Sequence, residues 1–188
     1  MTLPPDLQDE LTQFQEAGRT AERIAGDLSE AQFHWQPLDG RAWSIGQCLE
    51  HLAVADRVYA EPMARAIEDA RARGWSRTGP IASTAIGRWF VASLEPPVTR
   101  RSKAPSKIRP RSTASRDEIL RLYREAHDLL RGLVAEAASI DVNRAKFRNP
   151  LLPLVRVRVG TGFRVINAHE RRHLWQTEQV RRAEGFPT

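Results

Sequence analysis

A single cysteine, Cys48, stands among 188 residues, so no internal disulfide can form, which agrees with a reducing compartment. Long apolar runs are missing too. The most apolar segment, IASTAIGRWFVASL, is short and carries Arg88 in its middle, well below the roughly 20 apolar residues of a membrane helix. The first residues, MTLPPDLQDE, contain neither a basic region nor an apolar run, so no secretion signal is expected and the cytoplasm is the default location. Acidic residues are absent between Arg100 and Arg116, where RRSKAPSKIRPRSTASR carries seven basic ones among Pro and Ser. A net charge of +6 raises the question of nucleic acid or another anionic partner. No aromatic is interleaved for base stacking, so this segment reads as a solvated surface connection. Any DNA contact there is expected to be weak and lost steeply with salt.

What remains is the composition of a globular protein, 41% hydrophobic and 28% charged, of a length suited to a single domain spanning 1–188. Four long helical patterns stand out. Over 6–27, Leu7, Leu11, Phe14, Ala17, Ala21, Ile24, Ala25 and Leu28 recur at three- and four-residue steps. A second helix starts at the capping box Ser44-Ile45-Gly46-Gln47 and reaches about Gly74, with Pro62 marking a kink or break. A third opens at Ser115-Arg116-Asp117-Glu118 and runs to about Ser139, with Ile119, Leu122, Tyr123, Ala126, Leu129, Leu130 and Leu133 on its buried side. The last spans about 161–184 and is ended by Gly185 and Pro187. Between the second and third, 83–94 reads as a short helix packing Ile86, Trp89 and Phe90 inward, and the alternating VRVRV before the last helix reads as extended. The expected fold class is all-α, a four-helix bundle with two long crossover connections.

Near the end of the chain, HERRH places His169 and His173 four residues apart, one helical turn above each other. On a helical wheel both share the inward face with Ile166, Gln176, Thr177 and Val180. Buried imidazoles need partners. One reading is that they are core histidines bonded to side chains or water; the other is that they hold a metal ion. His51 lies on the inward stripe of the second helix, and three inward histidines from two helices are what a three-nitrogen metal site requires. His34 and His127 stand outside this set, and replacing either is expected to leave that metal in place.

The segments LSEAQFHWQPLDGRAWSIGQCLEHLA and INAHERRHLWQTEQVRRAEGFP resemble the DinB-like superfamily of bacterial damage-inducible-B-type bundles. Trp43 to Leu52, His169 to Gln176 and the connecting KAPSKIRP carry the likeness, which covers nearly the whole chain. The resemblance implies a bundle with a divalent metal, zinc or nickel, held by His51, His169 and His173. It also implies either a transferase dependent on a low-molecular-weight thiol such as bacillithiol or mycothiol, or a metal-dependent hydrolase, acting on a small molecule. A non-catalytic bundle that binds a ligand or partner with a structural metal is the alternative, and a homodimer through a helical face is open. The superfamily's name records inducibility and is no sign of DNA contact.

HERRH also spells the zinc-protease motif H-E-x-x-H, but that site requires a third ligand further on. The position six residues after His173 is Gln179, and fifteen residues leave no room for another ligand segment. Glu170 is expected to be structural, beside Arg172's neighbours or facing solvent, rather than a proton acceptor. Arg172 and Gln176 flank the ligands and can orient a histidine or a substrate anion. Cys48 reads as a small core residue, and Trp35 and Trp43 as packing at the start of the second helix.

Overall fold

The computed structural model describes residues 2–98, 103–111 and 113–188. Its helices are α1 (Pro5–Ala25), α2 (Glu30–His34), α3 (Ile45–Ala72), α4 (Ala85–Leu94), α5 (Arg116–Glu136) and α6 (Val159–Arg181), joined by one two-stranded sheet, β1 (Lys146–Arg148) and β2 (Arg156–Arg158). The fold is all-α, as expected. Both α3 and α1 lie against α5 and α6, so α1 and α3 stand diagonally opposite in a four-helix bundle.

The capping chemistry explains where the helices start. Ser44 Oγ accepts from the Gln47 amide and Gln47 Oε1 accepts from the Ser44 amide, each at 3.0 Å, which satisfies two donors that a helix N-terminus otherwise leaves unpaired. Ser29 and Gln32 do the same for α2, a short helix that the apolar periodicity does not reveal. Ser115 Oγ accepts from the Glu118 amide. No side chain caps α6; there the Val159 and Gly160 amides donate to the carbonyls of Ala145 and Val142. Pro62 neither breaks nor ends α3, because the packed helix tolerates one missing hydrogen bond.

Three expectations are corrected, two in the connections and one on α5. In α4, Ile86 and Trp89 point to solvent, 79% and 69% exposed. The inward stripe is instead Gly87, Phe90, Val91 and Leu94, one residue out of register with the apolar pattern. Gly87 fixes this register, since a Cβ there would lie 3.1 Å from Thr161 Cγ2 and α4 therefore packs closely on α6. Leu129 of α5 is 52% exposed, while Leu120 and His127 are buried. The basic connection is not wholly a surface loop either: Ser106–Ile108 forms a 3-10 turn whose Ile108 is buried. Arg100 and Arg101 lie outside the described residues. Within VRVRV, Arg156–Arg158 is extended as expected, with Val157 opposite Phe147 in an antiparallel hairpin, while Val159 already opens α6.

Glycine also sets how close the hairpin approaches the bundle. A Cβ at Gly162 would sit 2.8 Å from Phe147 Cε1 and 3.2 Å from Met63 Cε, and both neighbours are buried in the core. Gly162→Ala is therefore expected to destabilise the fold by about 1–3 kcal/mol through overpacking, read as a lower urea midpoint. An unchanged midpoint would mean that the hairpin shifts freely.

Candidate metal centre

His51 comes from the second turn of α3, and His169 and His173 come from consecutive turns of α6. The three rings converge, with centroids 5.0 Å apart for His51 and His169, 4.5 Å for His51 and His173, and 4.6 Å for the α6 pair. One nitrogen from each falls within 4.8 Å of the other two. The His51 and His169 Nε2 atoms are 3.1 Å apart, close to the roughly 3.3 Å between neighbouring ligands of a tetrahedral ion with bonds of about 2.0–2.1 Å. The donor set fits a divalent metal.

Neighbouring groups fix the rings. His51 Nδ1 donates to the Ile108 carbonyl at 2.6 Å, and His173 Nδ1 donates to Gln176 Oε1 at 3.1 Å. Each bond leaves Nε2 as the free nitrogen, the arrangement by which outer partners set the tautomer of a metal ligand. Gln176 thus orients a histidine, one of the two roles open to it in the sequence. Trp43 contributes more than packing at a helix start. Its ring lies 5.0 Å from that of His51 and stacks on His173 at 6.0 Å.

Burial keeps the triad uncharged. It pushes His169 down to about 3, assisted by the neighbouring His51. Burial also holds His173 well below the ordinary histidine value and lowers His51. Neutral imidazoles are the form that binds a metal.

The triad opens onto a cavity of about 1170 Å³, whose wall includes Trp43, Phe90, Leu94, Lys103, Arg172 and Trp175. Glu95, also on the wall, is engaged by Arg171 at 2.9 Å. The family model of the DinB superfamily matches residues 13–177. The chain belongs to the DinB superfamily. No curated protein matches it, and no solved structure does.

Within this DinB-superfamily bundle, other sequence candidates fall away from the triad. Cys48 is a buried free thiol, pushed up by desolvation, and it does not join the three nitrogens. Trp35 packs edge-on against Phe186. Glu170 neither faces solvent nor pairs with arginine. Its carboxylate is fully buried and accepts from the Tyr123 hydroxyl at 2.6 Å, with His127 Nε2 at 3.3 Å. Asp56, on α3, completes this second group, and burial together with the facing Glu170 raises its carboxyl well above the usual range. The sequence reading missed Asp56 and His127. Their signal was a charged or polar residue flanked at helical spacing by Leu52, Tyr59 and Ala60, and by Tyr123 and Leu130.

Proposed function

We propose that the chain is a metal-dependent enzyme acting on a small molecule, either as a thiol-dependent S-transferase or as a hydrolase, with His51, His169 and His173 as the metal ligands. The observation that carries this reading is the convergence of three neutral imidazoles on the wall of a large cavity, with protein on one side and open space on the other. Closed structural sites surround their ion with four protein ligands, whereas catalytic ones leave a position open. When bound, zinc, nickel or another divalent ion supplies Lewis acidity and lowers the pKa of a thiol or water that reaches it.

The chain's own groups provide binding and orientation. The Ile108 carbonyl and Gln176 hold two imidazoles in the tautomer that directs a free Nε2 to the centre. Trp43 covers one side of the triad and limits water there. Arg41, Lys103 and Arg172 bring positive charge to the cavity wall, while the wall's Glu95 is already neutralised by Arg171. A substrate or thiol carrying an anionic group suits that balance. Among the described residues, the carboxylates on this wall are Asp56 and Glu95.

The test is turnover. Protein loaded with zinc or nickel should conjugate a low-molecular-weight thiol to a small electrophile, or hydrolyse a small ester or amide, and His51→Ala should abolish the rate. Full metal occupancy without turnover across both screens would favour the non-catalytic binding bundle instead.

A further inference from the structure

The two apolar clusters of the bundle do not meet along its inner helices. On α3 one ends at Ala53 and the other resumes at Tyr59; on α5 the break lies between Ala126 and Leu130, and on α6 between Ile166 and Leu174. Asp56, His127 and Glu170 project into this gap, one from each helix, with exposures of 1%, 4% and 0%. Bundle cores place metal sites in this way, from side chains on facing helices.

We propose that Asp56, His127 and Glu170 form a second metal site, separate from the histidine triad, for a divalent transition-metal ion. The spacing suits one. His127 Nε2 lies 3.3 Å from Glu170 Oε2 and 3.7 Å from Asp56 Oδ2, and one ligand atom from each residue falls within 4.8 Å of the others. Neighbouring ligands of a tetrahedral ion with bonds of about 2.0–2.2 Å are separated by about 3.3–3.6 Å.

The unmet hydrogen bonding points the same way. Both Asp56 oxygens, His127 Nε2 and Glu170 Oε1 are buried with no hydrogen-bond partner, although buried polar atoms are nearly always paired. The Tyr123 hydroxyl donates to Glu170 Oε2 at 2.6 Å. Tyr123 thereby orients Glu170 as an outer partner orients a ligand, leaving Oε1 free.

Charge separates this site from the triad. Two ionised carboxylates match the charge of a divalent ion, which three neutral imidazoles do not. Oxygen and imidazole donors suit zinc, manganese or ferrous iron. Asp56 also borders the main cavity.

The test is stoichiometry with zinc alone as probe. Chelated protein is reloaded, freed of excess ion and analysed for metal per chain. Wild type should hold two ions, His51→Ala one, Asp56→Asn one and the double variant none. A wild type with one ion, retained by Asp56→Asn and lost by His51→Ala, would overturn the second site and leave the triad intact. The reverse pattern, one ion lost by Asp56→Asn and kept by His51→Ala, would support the second site and remove the triad reading. If Asp56→Asn does not fold, His51→Ala still decides, because a variant retaining no ion excludes the second site.

Discussion

His51→Ala is expected to lose the triad's ion as completely as His173→Ala, with affinity there reduced by more than about a hundredfold. Outer-sphere partners alone are typically worth about 10- to 100-fold, and both histidines here are direct donors to one centre. The 3.1 Å approach of His51 to His169 makes the α3 ligand integral to the site, because the α6 pair alone offers only two nitrogens. His34→Ala should be silent, since His34 sits on α2 beside Glu30 at 3.2 Å. Acid is expected to release the ion only well below the usual histidine range of about 6.5. Burial lowers all three imidazoles, so protons compete more weakly for the same nitrogens and release shifts to lower pH. Competition with a chromophoric chelator, followed from pH 7 to 4, measures both effects. A His51→Ala protein with unchanged affinity at the triad, or release centred at pH 6.5, would contradict this account.

The triad was legible because polar residues on an apolar stripe at four-residue spacing are costly unless something satisfies them, and His51, His169 and His173 show that conflict in the letters alone. The capping box at Ser44 and the Ser115 cap were legible for a similar reason, since their chemistry is local. The partners of the triad were not. Ile108 reaches His51 across 57 positions, from a segment whose basic and proline-rich composition suggests only solvent. Composition describes a segment's average, whereas one apolar residue in KAPSKIRP suffices to anchor it. Trp89 misled in the opposite direction. Its spacing with Ile86 fits an inward face, yet Gly87 permits the closer approach to α6, and close backbone contact decided the register. Glu170 failed for a different reason. As a charged residue among arginines it was expected beside them or in solvent, while Ile166 and Leu174, one turn to either side, already marked it as part of the core.

That placement makes Glu170→Ala the substitution with the largest expected cost to the fold, measured in the presence of a chelator so that metal binding does not contribute. The carboxylate is fully buried, and it is the acceptor for the Tyr123 hydroxyl, itself 1% exposed. Truncation leaves that hydroxyl unpaired, at about 1–3 kcal/mol, removes the anion 3.3 Å from His127, and opens a void that close-packed helices cannot fill. Unpaired polar atoms and the void together are expected to cost about 3–5 kcal/mol, which for a chain of this size lowers Tm by roughly 10 °C or more. Tyr123→Phe removes only the donor and should cost less, about 1–3 kcal/mol. Thermal melts of the two variants beside wild type separate the contributions, with Glu170→Ala the lower. If Glu170→Ala melted within about 2 °C of wild type, the polar layer could not be a structural keystone, because its central carboxylate would then be replaceable by solvent or by repacking of Tyr123 and His127.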